Sequence, residues 1–264
     1  LEPLASANAV LSHEEKEAGV ALIDIGGGTT DLAIFKDGII RHTAVIPFGG
    51  NVVTEDIKEG CSIIEKQAEL LKVKFGSAWP GENKENEIVS IPGLRGRDPK
   101  EISLKNLSKI IHARTVEIIE QVYLEIKNYG HEDQKKKLIA GIVLTGGGSQ
   151  LKHLKQLVEY VTGMDTRVGY PNEHLAGDTD KSVTSPLYAT AVGLVMDGLH
   201  RLRKNEPENI EGELFNNDPQ NEEGLNDDNE SSSDELKKEN KKIERESFLD
   251  KLTKNLQDFL DNAE

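Results

Sequence analysis

At 264 residues the chain can hold one or two domains around a sizeable core; its single cysteine, Cys61, excludes an internal disulfide framework and suits a reducing compartment. No apolar run approaches the roughly 18 residues of a membrane-spanning helix. The net charge of −15 is concentrated in the tail: residues 205–264 hold 19 acidic and 7 basic side chains, leaving about −3 on residues 1–204, so there is no broad basic surface to hold nucleic acid.

The chain opens at Leu1 with "LEPLASANAVL", which reads as the middle of a domain, so a C-terminal fragment of a longer protein is expected. Residues 20–25 and 32–35 read as strands around a run of glycines, and "DGIIRHTAVIPFGG" adds a third strand after the Asp37-Gly38 turn. From Asn51 the pattern turns helical, through "VVTEDIKEGC" and "SIIEKQAELLKVKF", with Ile63, Ile64, Leu70, Leu71 and Phe75 apolar. "EIVSI" is a short strand. A long amphipathic helix follows, with Leu104, Leu107, Ile110, Ile111, Val116, Ile118, Ile119 and Val122 at its apolar positions and Gly130 as its stop. "KLIAGIVLTGGGSQLKHLKQLVEYVTG" reads as strand, glycine turn, helix, and Ser185-Pro186 opens a last helix. Alternating strands and helices with a mostly helical insert imply an α/β layer carrying a second subdomain.

Two strand ends carry three glycines each. In "LIDIGGGTTDLAIF", Gly26, Gly27 and Gly28 allow a tight turn whose N–H groups can approach a phosphate; Asp24 is placed to hold a hydrated Mg²⁺, and Thr29, Thr30 and Asp31 can add hydroxyl and carboxylate contacts. No Gly-Lys-Ser/Thr follows, and the next segment alternates like a strand, so neither a Walker A loop nor a dinucleotide fingerprint is present. A plain tight hairpin would use the same glycines. The second triplet, Gly146, Gly147 and Gly148 with Ser149, closes "AGIVLT" ahead of a helix, where backbone N–H groups and the helix dipole suit a polar ligand.

"LIDIGGGTTD" resembles the second phosphate motif of the actin, Hsp70 and sugar-kinase superfamily, and "GIVLTGGGSQL" resembles its adenosine motif. "AELLKVKFG" is similar to the helix that offers a glutamate and a lysine to the nucleoside, which points to Glu69 and Lys72; from the residues alone these also fit a solvated i, i+3 pair. Within the superfamily, "LEPLASANAVL", "RHTAVIPFGGNVVTEDI", "CSIIEKQAELLKVKFGSA" and "IAGIVLTGG" resemble the FtsA family of bacterial cell-division proteins over residues 1–200. The resemblance implies an actin-like (ribonuclease H-like) ATPase domain II: nucleotide-binding subdomain IIA at 1–50 and 137–204, and subdomain IIB at 51–136. It implies ATP and Mg²⁺ as ligands, self-association into filaments, and a cytoplasmic FtsZ ring as partner, whose C-terminal peptide would meet the long helix near Arg114. It also implies a place at the inner membrane of the division site, among other division proteins. The first phosphate motif of the superfamily lies in an N-terminal half that this chain does not contain, so weak ATP binding and little or no hydrolysis are expected of it alone.

Residues 205–246 are too polar to bury a core and read as a disordered linker, acidic to 236 and then basic through "KKENKKIER". In residues 247–264, Phe248, Leu249, Leu252, Leu256, Phe259 and Leu260 fall within about 120° of a helical wheel. An amphipathic helix beyond such a linker is expected at a membrane surface, with a partner protein or a fold-back contact as the alternatives. A metabolic kinase would leave this tail unexplained. An Hsp70-like chaperone would need a folded substrate domain in its place, and MreB-type relatives carry their membrane element elsewhere. The histidines show no metal-ligand spacing; His42 and His112 are read as structural or surface residues, Cys61 as a small buried helix residue and Trp79 as packing a loop.

Overall fold

The computed structural model of the chain describes residues 2–84, 86–93, 98–171 and 183–205. The expected linker beyond Asn205 and the amphipathic segment 247–264 lie outside the described residues.

Two helices, α1 (Glu2–Val10) and α2 (His13–Ala18), lead into a meander of β1 (Val20–Ile25), β2 (Thr30–Lys36) and β3 (Ile39–Ile46). Next come α3 (Gly50–Cys61), α4 (Glu65–Phe75), the paired strands β4 (Ile88–Ile91) and β5 (Lys100–Ser103), and the long helix α5 (Leu104–Tyr129). The chain then forms β6 (Ile142–Thr145), α6 (Leu154–Thr162), β7 (Thr166–Val168) and α7 (Ala189–Asn205). The main sheet has the order β3-β2-β1-β6-β7, antiparallel through the meander and parallel from β1 to β6 and β7.

Both faces of this sheet are covered, which is why its central strands read as continuous apolar runs. Alternation still sorts the residues. Ala21, Ile23, Ile25, Leu32, Ile34, Ile142 and Leu144 pack with α5 and α6, while Val20, Leu22, Ala33, Phe35 and Val143 pack with α1 and α7. Small residues let α1 and α7 approach closely: Ala5, Ser6, Ala7 and Ala9 are buried, and a Cβ at Gly193 would collide with the carbonyl of Ala5.

A further cluster joins Val53, Ile57 and Cys61 of α3, Ala68 and Leu71 of α4, Ile91, Ile102, and the first half of α5 through Leu107, Ile111 and Ile118. The second half of α5 belongs to the sheet's core through Ile119, Val122 and Ile126. With 26 residues, about 39 Å of helix, α5 serves both cores. Gly130 stops it with φ at 90° and its N–H donating to Lys127 O.

Two elements differ from the sequence reading. α2 is opened by a capping box, Ser12 Oγ accepting from Glu15 N and Glu15 Oε2 from Ser12 N. Of the apolar residues expected on the 62–75 segment, Leu71 is buried, whereas Leu70 and Phe75 are exposed. Ser185 and Pro186 do open the last helix, through a 3₁₀ turn at Pro186–Tyr188.

Candidate functional site

The period that sorts the sheet also aims Asp24. On β1 it continues the series Val20, Leu22, whose side chains meet α1 and α7, so a carboxylate takes a position suited to an apolar group. Two hydroxyls meet it there. Ser6 Oγ of α1 donates to Asp24 Oδ2 at 2.7 Å, and Thr190 Oγ1 of α7 lies 3.3 Å from the same oxygen. Burial nevertheless pushes the Asp24 carboxyl above its usual range; the two hydroxyls offset part of the effect, and the charges of Asp31 and Glu2 add to it.

Both glycine turns flank this carboxylate. A Cβ at Gly146 would collide with Asp24 Oδ1, and one at Gly148 with the side chain of Ile25, so the second turn lies directly against the end of β1. Gly146 has φ at 80°, a conformation glycine adopts without a Cβ penalty. In the first turn, Gly26 N donates to Thr29 O at 2.9 Å, and Gly28 has no atom within 4 Å of where a Cβ would stand, so the tip opens onto free space. The carbonyls of Gly26 and Gly27 accept from the N–H groups of Gly50 and Asn51 at 2.9 and 2.8 Å, pinning the turn to the start of α3.

Glu69 and Lys72 attach to the same place. Lys72 Nζ donates to Gly50 O at 2.8 Å and to Thr54 Oγ1 at 2.7 Å, and pairs with Glu69 Oε2 at 2.7 Å. Burial pushes the Glu69 carboxyl up, but hydrogen bonds from Lys72 and Thr54 outweigh it and leave the group below its usual range. The pair is therefore not a free-standing solvated one: it is tied through Gly50 to the first glycine turn.

Two expected hydroxyls are spent elsewhere. Thr30 is fully buried and donates to Phe48 O at 2.8 Å, and Ser149 is buried and donates to Gly146 O at 2.7 Å. Each braces a turn and neither projects from it. Thr29 is exposed and donates to Asp31 at 3.0 Å. Ser6 and Thr190 were missed by sequence reasoning; the strand period predicts which face Asp24 occupies, but not which helix residues stand there.

Arg114 lies apart from this site, on α5. Its Nε and Nη2 donate to the two carboxylate oxygens of Asp56 at 2.6 and 3.0 Å, and its Nη1 donates to Glu117 at 2.7 Å. Among the described residues no cluster of His, Cys, Asp and Glu suits a metal ion by itself, and no helix is long and apolar enough to cross a membrane.

The family described as "Cell division protein FtsA" matches residues 21–193, a span that includes both glycine turns, α4 and α5. The chain belongs to the FtsA family. The cell division protein FtsA of Pseudomonas aeruginosa is 40% identical over 215 residues, covering 81% of this chain and 50% of that protein, so the chain spans about half the length of this FtsA relative. Among solved structures, MreB5 of Spiroplasma citri bound to ADP aligns with a TM-score of 0.60 at 23% identity, over 77% of this chain and 61% of that one. The MamK double helical filament aligns with a TM-score of 0.54 at 17% identity, over 78% and 59%. These likenesses establish the fold of this FtsA-family chain as actin-like.

Proposed function

We propose that this chain is the nucleotide-binding half of an ATP-dependent, actin-like adaptor of bacterial cell division, acting chiefly as a binding and polymerising protein. The convergence of two glycine turns on Asp24 in an FtsA-family chain carries this reading. Gly26, Gly27, Gly28, Thr29 and Asp31 would line the phosphates, Asp24 would face the hydrated Mg²⁺, and Gly146, Gly147, Gly148, Glu69 and Lys72 would hold the nucleoside. The residues fit that group: the first turn is open at Gly28, the second is bare backbone against β1, and a half-buried carboxylate whose ionised form is disfavoured gains most from a cation. Magnesium supplies charge neutralisation between carboxylate and phosphate; the protein's part is to hold both turns and Asp24 in register. That a structure of MreB5 is bound to ADP and that MamK forms a double helical filament supports nucleotide binding and self-association here.

On this reading α5 around Arg114 receives the acidic C-terminal peptide of FtsZ. Phe248, Leu249, Leu252, Leu256, Phe259 and Leu260 form an amphipathic helix that holds the assembly on the cytoplasmic face of the inner membrane. Burying six such side chains is worth on the order of 5–10 kcal/mol gross, much of it offset by ordering the segment. One copy is thus a weak anchor, and a polymer is a strong one.

The test is equilibrium binding of a fluorescent ATP analogue with Mg²⁺. Gly28→Glu puts a negative charge into the open tip at a position where an added Cβ meets no atom within 4 Å. The wild type should bind and the variant should lose binding at unchanged melting temperature; equal binding by both would refute the assignment of this turn to phosphate.

A further inference from the structure

Asp24 is held by two hydroxyls that stand far apart in the chain. Ser6 and Thr190 lie 18 and 166 positions from Asp24, yet both meet the same oxygen, Oδ2. They also contact each other, Oγ to Oγ1, at 2.8 Å. The other oxygen, Oδ1, lies on the side of Gly146, where a Cβ would strike it. The carboxylate is thereby divided: one oxygen belongs to the α1–α7 pair, and one lies against Gly146 of the second glycine turn.

We propose that Ser6 and Thr190 are positioning residues that fix the Asp24 carboxylate so that Oδ1 alone is offered to the metal–phosphate side. The proposal rests on the nucleotide reading above. A free carboxylate rotates about its Cβ–Cγ bond and can offer either oxygen or both. Engaging Oδ2 with the Ser6 hydroxyl, backed by Thr190, whose one proton is shared between Ser6 Oγ and Oδ2, leaves one oxygen in one orientation, suited to a single hydrogen bond from a water of a hydrated cation. The burial of Ser6, which is 0% exposed, makes its partner choice consequential, because a buried hydroxyl without a partner is costly. The geometry makes a mutual clasp: Ser6 donates to Asp24, and the Ser6–Thr190 contact keeps both hydroxyls from turning away.

A purely structural role would affect stability and all nucleotide binding alike, whereas a positioning role affects the Mg²⁺-dependent part. The experiment uses the 264-residue chain, a fluorescent ATP analogue, and affinity measured in excess Mg²⁺ and in EDTA. Ser6→Ala and Thr190→Val remove the hydroxyls at little change in volume, and Thr190→Ser is the conservative control. The variants are expected to lose about ten- to a hundredfold of the Mg²⁺-dependent gain in affinity, with unchanged affinity in EDTA, and Thr190→Ser to retain most of it. Equal losses in both buffers, or an undiminished Mg²⁺ effect in both variants, would overturn the positioning role while leaving the nucleotide site standing. A wild-type chain that binds no nucleotide in either buffer would overturn the site itself and the positioning role with it. Circular dichroism checks that each variant is folded.

Discussion

Asp24 and Asp31 stand directly opposite each other across the antiparallel ladder of β1 and β2, at the two stems of the first glycine turn. Residues so paired share a face of the sheet, and like charges there repel. The arrangement costs stability in the empty protein and creates the negative field that a cation would relieve. It is a local conflict of the kind that marks a functional position.

Asp24→Asn should therefore stabilise the metal-free protein. A carboxyl whose pKa is raised by folding holds its proton more tightly when folded, so its ionisation costs stability as pH rises. The amide keeps an acceptor for Ser6 and Thr190 and removes the charge. In EDTA near pH 7.5 the melting temperature should rise by a few degrees, and the gain should shrink as pH falls through the raised pKa of Asp24. A lower melting temperature at neutral pH would show that the carboxylate is a net stabiliser.

The pair Glu15–Arg167 behaves in the opposite sense. Arg167 Nε and Nη2 donate to the two oxygens of Glu15 at 2.6 and 2.7 Å, and Nη2 also reaches Val10 O at 2.8 Å, joining β7 to the α1–α2 corner. Burial pushes the Glu15 carboxyl up, but the guanidinium and the Ser12 N–H outweigh it and hold the group below its usual range. Its contribution is present above the ordinary carboxylate pKa and is lost as pH falls through the depressed folded value. Because Arg167 is partly exposed, Glu15→Gln should cost only roughly 1 kcal/mol at pH 7. Urea unfolding at pH 7 and pH 3 should show that difference closing at the lower pH.

Arg114 is already satisfied by Asp56 and Glu117, so an acidic peptide has to compete for its guanidinium. Loosening that grip by Asp56→Asn should tighten binding of an FtsZ C-terminal peptide by about a factor of two to five, read by fluorescence anisotropy. Arg114→Met should weaken it, and is a cleaner change than Arg114→Glu, which would set three acids together. Unchanged affinity in both variants would remove Arg114 from the docking surface.

For the tail, residues 237–264 fused to a soluble fluorescent protein should pellet with anionic liposomes. Leu252→Asp with Leu256→Asp should abolish the binding, and a dimeric fusion should bind at least about tenfold more tightly than the monomer. No binding even as a dimer would make the segment a partner-binding or fold-back element.

The parts of this fold legible in the sequence are those whose pattern is long or chemically distinctive. The strands around the first glycine turn, the strand before the second, and α5 with its Gly130 stop all emerged from periodicity and turn chemistry. Short or atypical elements did not. β7 has three residues, β5 is half charged, and α1 is rich in small residues that show little apolar contrast. Ser12 and Glu15 did carry a readable helix-start signal, the Ser-x-x-Glu spacing. On α5, Ser108 and Thr115 are buried although polar, because Ser108 donates to Ser77 O and Thr115 to Ile111 O. The glycines and Asp24 of the candidate site could be picked from the sequence, but Ser6 and Thr190 depend on where α1 and α7 dock.

The sharing of α5 between two cores has an evolutionary consequence. An inserted lobe with a private core could be deleted or exchanged as a cassette. This one cannot, because cutting out 51–136 would also strip Ile119, Val122 and Ile126 from one face of the sheet. The lobe and the sheet should consequently melt in a single transition, and any homologue that reshapes the insert must keep the last three turns of this helix or rebuild the face they cover.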